Sequence, residues 1–530
     1  MHEKIHSSNR LTDVMLRKIR IVLAAIVFIL VTLLFLDFTG TVHRWFGWLA
    51  EIQFLPAVLA MNFAVTALLV ILTLLCGRVY CSVICPLGVM QDIISWIHGK
   101  TKKKNRFRFS WSPAKNRLRY GILVIFIVMM TGGFMSLAAI IAPYSAYGRI
   151  AGSLLAPLWQ WGNNLLAWFA ERVGSYAFYS TDVWLKSLPV FIIAAVTFIV
   201  IFILAWKNGR TWCNTACPVG SVLGLLSRFS VFKPVIDTEK CRNCGLCGRQ
   251  CKASCINMKE HEIDYSRCVA CFDCLDACSE GAISYRPVWK KKVAEKVPVQ
   301  NALPGNKDVH DHVSGHTEPG QDNGRRAFIA SAAVALSAAA VKAQEMKVDG
   351  GLAAILPKRA PARRTPLKPA GSMSLKNFTT HCTACQLCVS VCPNHVLRPS
   401  GNLMTLMQPE MSYEKGWCRP ECTKCSDVCP SGPIRPVTVE EKSSIQIGHA
   451  VIVYENCVVN SDGVSCGNCA RHCPSGAIRM VHSVPGDKSS LMIPTVMEER
   501  CIGCGACEYL CPARPLSAIY VEGHEVHKVL

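Results

Sequence analysis

Acidic residues are scarce: 36 Asp and Glu face 57 Lys and Arg, leaving a formal net charge of +21. Charge of either sign is sparse as well, at 18% of the 530 residues against 51% hydrophobic, and the mean hydropathy is +0.27. So apolar a chain is not an ordinary soluble protein. No CxxCH occurs, so covalent c-type haem is not indicated. The separated CxxC hooks of structural zinc are not the dominant cysteine spacing. The excess of Lys and Arg flanks apolar runs instead of interleaving with aromatics on a soluble module. Membrane lipid is therefore an expected partner and nucleic acid is not.

Four apolar runs, at 19–38, 54–75, 120–142 and 188–206, are long enough to cross a ~30 Å hydrocarbon core. The expected fold is a membrane all-α part with four transmembrane helices, followed by smaller α+β ferredoxin-like 4Fe-4S modules. Segment 77–119 carries ten Lys and Arg, whereas 37–53 holds only Arg44, so the basic loop and the N-terminus belong on the cytoplasmic side. The stretch LAPLWQWGNNLLAWFA is amphipathic and Trp-rich, as suits either a membrane interface or a packed loop helix.

What the chain has in abundance is cysteine, 30 in all, arranged as a repeat. Cys241, Cys244, Cys247 and Cys251 follow CxxCxxCxxxC spacing, and Cys268, Cys271, Cys274 and Cys278 repeat it. In two-cluster ferredoxins of this spacing three thiolates hold one iron–sulfur cube and the fourth reaches the other. The expected ligand sets are Cys241, Cys244, Cys247 with Cys278, and Cys268, Cys271, Cys274 with Cys251. Cys255 competes with Cys251, because CKASC stands where a Cys-Pro is usual. Four further sets follow: Cys382, Cys385, Cys388, Cys392; Cys418, Cys422, Cys425, Cys429; Cys457, Cys466, Cys469, Cys473; and Cys501, Cys504, Cys507, Cys511. Proline follows the last cysteine of each and turns the chain away. About six [4Fe-4S] clusters are expected, and SGAIRM and LSAIYV read as short strands closing their halves. Neighbouring CxxCxxC sulfurs pair poorly as disulfides.

Two more pairs echo each other in GRVYCSVICPLG and GRTWCNTACPVG, each beside an apolar run. Cys81, Cys85, Cys213 and Cys217 would lie on one side of the membrane, as an extra cluster, a redox-active thiol site next to a quinone pocket, or buried sulfurs where Pro86 and Pro218 stop helices. Cys76 reads as ordinary packing. Arg78, Arg210, Gln91 and Asp92 are the polar candidates near a quinone, and no catalytic residue is identified.

The domains expected are a membrane part at 1–230, a two-cluster module at 231–286, a polar linker at 287–324, a Tat-like signal or fifth membrane segment at 325–343, a tether at 344–374 and a four-cluster module at 375–530. Arg325 and Arg326, followed by an Ala-rich apolar stretch, carry the signal reading. With these motifs the chain resembles a fusion of two proteins that supply electrons to periplasmic nitrate reductase, a NapH-type membrane subunit and a NapG/MauM-type exported ferredoxin. The fusion itself and CKASC depart from that pattern. The resemblance implies a quinol dehydrogenase component of the bacterial inner membrane, multi-pass, with its C-terminal module periplasmic. It would oxidise menaquinol or ubiquinol from the quinone pool and pass electrons to a periplasmic redox protein or reductase. The alternatives are an iron–sulfur metal-reducing or assembly factor of the membrane, and a cluster-bearing anchor with no substrate of its own.

Overall fold

The computed structural model describes residues 2–37, 39–101, 109–288 and 356–530, with side chains from residue 15 onward. The Tat-like segment at 325–343 lies outside the described residues.

Among the described residues two helices are long and apolar enough to cross a membrane, Met15–Leu36 and Leu188–Asn208. Each buries one narrow stripe, Val31, Leu34 and Phe35 in the first, and Ala194, Ile201 and Ala205 in the second. Each exposes the rest, including Ile19, Val22, Ile26 and Ile29, or Ile192, Val196, Ile199 and Ile203. An apolar face of that width suits lipid better than water. The expectation of four uninterrupted spans is corrected at the other two runs. Segment 54–75 forms Phe54–Leu59 and Phe63–Cys76, because Met61 turns left-handed (φ 53°) and the Asn62 side chain caps the second helix by accepting the Val65 N–H at 3.2 Å. Segment 120–142 is divided between Asn116–Thr131 and Met135–Ile141, separated where Gly133 adopts φ 81°. Hydropathy registers composition and passes over both breaks. The Trp-rich stretch is helical over Ala156–Arg172 and exposes Leu158, Trp159, Trp161, Leu165, Trp168 and Phe169.

Beyond these apolar helices, the described residues form short helices and five two-stranded antiparallel sheets. In the first cysteine module Phe232–Ile236 pairs with Ile283–Pro287, and Ile256–Asn257 with Glu262–Ile263. In the second, Ile445–Ile452 pairs with Ile519–Val529, Ile478–His482 with Met492–Val496, and Leu397–Pro399 with Pro409–Met411. The motifs SGAIRM and LSAIYV lead into strands Ile478–His482 and Ile519–Val529. The last stretch of the expected tether is corrected: Leu367, Lys368, Ala370 and Ser372 are buried, and Arg363 pairs with Glu508 at 2.5 Å, so this arm belongs to the module it precedes.

The two modules pack on opposite ends of the long helices. At one end Arg17 pairs with Asp273 and Asp276 at 3.0 and 2.7 Å, and the Arg210 N–H donates to the Lys252 carbonyl at 2.8 Å. At the other, Val190 packs with Ala384 and Met407, Lys424 donates to the Thr39 carbonyl at 3.3 Å, and Ser136 donates to the Met404 carbonyl at 3.2 Å. A helix of 21 residues separates them by ~31 Å, about one hydrocarbon thickness.

Candidate metal centres

All 30 cysteines are free thiols. Among the described residues no group of three or more His, Cys, Asp or Glu closes around a single metal ion. The cysteines instead ring open, mostly apolar recesses. Cys241, Cys244, Cys247 and Cys278 line one of about 360 Å³. Cys392, Cys418, Cys422 and Cys425 line another of about 450 Å³, and Cys457, Cys466, Cys469 and Cys511 a third of about 400 Å³. Cys382, Cys385 and Cys388 lie within electrostatic range of Cys429, and Cys501, Cys504 and Cys507 within range of Cys473. In every one of these quartets three thiols come from one set and the fourth from its neighbour.

Local backbone explains how the turn aims its sulfurs. In the four CxxCxxC sets the residues on both sides of the second cysteine are left-handed: Asn243 and Gly245, Ala270 and Phe272, Ala384 and Gln386, Gly503 and Gly505. A four- or five-residue helix carrying the third cysteine then starts at once. Five non-glycine residues held in that region, Asn243, Ala270, Phe272, Ala384 and Gln386, mark a constrained turn.

Cys251 and Cys255 remain close, Sγ to Sγ 3.4 Å. Cys251 is in electrostatic range of Cys268, Cys271 and Cys274, while Cys255 hydrogen-bonds Cys251 and Cys268. Cys76 is partly buried beside the carbonyl-bound Tyr285 hydroxyl and joins no quartet.

The two CxxxCP motifs come together. Cys81, Cys85, Cys213 and Cys217 are each 4–5% exposed and lie in mutual electrostatic range. The halves interlock through their arginines, both fully buried. Arg210 donates to the Cys81 carbonyl at 2.7 Å and Arg78 to the Cys213 carbonyl at 3.2 Å, each reaching into the other motif. Two glycines make room for that crossing: a Cβ on Gly88 would stand 2.5 Å from Arg210 Nη1, and one on Gly220 2.8 Å from Arg78 Nη2. Side-chain donors face the sulfurs, Gln91 Nε2 to Cys213 at 3.2 Å, Arg78 to Cys81 at 3.8 Å and Arg210 to Cys213 at 3.9 Å. The Gly220 N–H donates to Cys217 Sγ at 3.3 Å. Four buried thiols with two guanidiniums beside them form a donor set with fixed cations close to its sulfurs, as suits a buried metal–sulfur group.

The four polar candidates for a quinone are thus committed to this thiol site. Asp92 binds Arg210 at 2.7 Å, Arg20 at 2.9 Å and Lys252 at 3.2 Å. Burial would raise its carboxyl, but these three cations outweigh burial and hold it well below the usual carboxylate range. Sequence reading missed Asn214, Ser266, Lys252 and Asp273, which complete the network around Arg78 and Asp92. Asn214 sits inside TWCNTACP, Lys252 inside CKASC and Asp273 between Cys271 and Cys274, but cysteine spacing gives no sign that these polar neighbours meet the distant arginines.

A family described as a 4Fe-4S binding domain matches residues 58–105 and 188–236, the two CxxxCP regions. A 4Fe-4S dicluster domain matches residues 463–514. The methylamine utilization ferredoxin-type protein MauM of Methylorubrum extorquens is 33% identical over 181 residues, 32% of this chain and 80% of the relative. The chain belongs to the MauM ferredoxin-type family. The chain is also similar to the ferredoxin-type protein NapF of Escherichia coli, 28% identical over 181 residues (34% of the chain, 100% of NapF). Its similarity to the ferredoxin-type protein NapH of Haemophilus influenzae is 27% over 218 residues, 39% of the chain and 62% of NapH. No solved structure matches it. With NapH, NapF and MauM all among its homologues, this member joins NapH-like and MauM-like parts in one iron–sulfur electron-transfer protein.

Proposed function

We propose that this chain oxidises quinol in a bacterial inner membrane and moves the electrons to its C-terminal module, from which a periplasmic redox protein or reductase takes them. The observation that carries the reading is the placement of two cysteine modules at opposite ends of two apolar helices, with a four-thiol site at one of those ends. Six quartets in the modules hold one [4Fe-4S] cluster each, and Cys81, Cys85, Cys213 and Cys217 hold a seventh iron–sulfur group. When bound, such clusters supply reversible one-electron storage, which no side chain here can.

The protein's own residues do the rest. In the four CxxCxxC sets the left-handed turns fix three thiols and the fourth arrives from the next set, so paired sites share one backbone scaffold. Arg78 and Arg210 balance thiolate charge in a site closed to water. Asp92 keeps Arg210 oriented while Arg20 and Lys252 tie that aspartate to the first helix and the first module.

The test is anaerobic addition of a reduced naphthoquinone or benzoquinone analogue to the purified, detergent-solubilised chain, followed by EPR. Reduced-cluster signals within seconds support the reading. No response to quinol, together with reduction of copper or iron ions by the dithionite-reduced protein, would replace it with the metal-reducing function.

A further inference from the structure

The helix Pro143–Ile150 belongs to the membrane part, and all eight of its residues are buried. Arg149, at 0% exposure, has no carboxylate partner among the described residues. Its Nη1 and Nη2 donate to the main-chain carbonyls of Ala139 and Ile140, each at 2.9 Å, and its Nε has no partner. A guanidinium stays protonated in proteins, so this is a buried, uncompensated positive charge, and such a charge needs an anion nearby. The one titratable group in its electrostatic range is the Cys385 thiol. The helix itself packs on that stretch of the module, since a Cβ on Gly148 would run into the Cys385 carbonyl oxygen. Tyr144, on the same helix, also faces Cys385 and has an unpartnered hydroxyl. Two lysines lie nearby: buried Lys368 faces Cys382 and Cys388, and Lys186, which donates to the Val389 carbonyl at 3.5 Å, faces Cys392 of the neighbouring quartet and Cys388 of this one.

We propose that Arg149 is a potential-setting residue: across the interface with the C-terminal module it compensates the charge of the Cys382, Cys385, Cys388 and Cys429 site, making that site more easily reduced than the module alone would make it. Each added electron makes an iron–sulfur site more negative, and a fixed cation in a water-poor surrounding favours the reduced form. Arg149 and Lys186 both come from the membrane part, so the site gains this advantage only while the module is docked, and it faces the helices from which electrons would come. The inference rests on the cluster reading above.

An EPR-monitored redox titration of the full chain tests it. For Arg149→Met one signal's reduction equilibrium falls at least tenfold, about 59 mV for one electron, while the other signals and the iron content stay unchanged. Arg149→Lys recovers most of the shift, and Lys186→Met moves the same signal, and that of the neighbouring Cys392 quartet, in the same direction. Unchanged midpoints in Arg149→Met at full iron content overturn the inference, as does a Lys variant as displaced as the Met variant. Wild-type protein without iron at this quartet would instead defeat the cluster reading.

Discussion

The four-thiol site between the two CxxxCP motifs and the recesses of the cysteine modules handle charge differently. In the recesses thiols such as Cys244, Cys466 and Cys469 keep partial contact with solvent, and water screens whatever charge they carry. Between the motifs all four thiols are dry, and each half sends an arginine into the other. Burial thus transfers to the protein a task that water performs elsewhere, and it makes the site indivisible: each arginine faces a sulfur of its own half while anchored on a carbonyl of the other.

Indivisibility gives the largest expected effect. Cys81→Ser and Cys213→Ser should each remove the entire iron content of this site, about four atoms per chain if it is a [4Fe-4S] cluster, and abolish quinol-dependent reduction elsewhere. Loss of only half that iron from either variant would mean two independent sites. Next in size, Arg210→Met leaves a buried Asp92 short of its closest cation and should destabilise the membrane part by ~3–5 kcal/mol. Arg78→Met, which strands only carbonyls and the Asn214 amide, should cost ~1–3 kcal/mol; equal costs by thermal unfolding in detergent would erase the distinction between the halves. Gly88→Ala or Gly220→Ala should cost ~1–3 kcal/mol by forcing the crossing arginine aside. Gly162→Ala has open space around its Cβ within Ala156–Arg172, and should gain up to ~1 kcal/mol.

Within the modules, Cys251→Ala should remove one cluster's EPR signal and Cys255→Ala should leave it; the reverse would exchange their roles. The smallest effect is on pH. Burial first, and His524 second, pull His527 down to about 4 from its usual 6.5. Its contribution is therefore intact above pH 6.5, is lost as pH falls from 6.5 to 4, and changes no further below. After allowance for solvent this is ~1–2 kcal/mol, which His527→Gln should remove from the acid side of a stability profile.

Much of this was legible in the sequence because cysteine spacing is itself geometry. The CxxCxxC interval dictates a tight turn, and the echo of GRVYCSVICPLG in GRTWCNTACPVG announced a pair. The long helices at 15–36 and 188–208 followed from unbroken apolar runs. The breaks at Asn62 and Gly133 did not, because capping and left-handed residues interrupt a helix without changing its hydropathy. Nor did the docked arm around Leu367 and Lys368, whose burial depends on contacts from Pro409 to Val521. The crossing of Arg78 and Arg210 was equally hidden: each is adjacent in sequence to its own cysteines and reaches a carbonyl 129–135 residues away.

The most direct test is quantitative iron, zinc and acid-labile sulfide analysis of anaerobically purified full-length chain. Seven sites with four irons each predict about 28 iron and 28 sulfide per chain, falling to about 24 in Cys213→Ser. Zinc in place of iron, or thiols without labile sulfide, would contradict it.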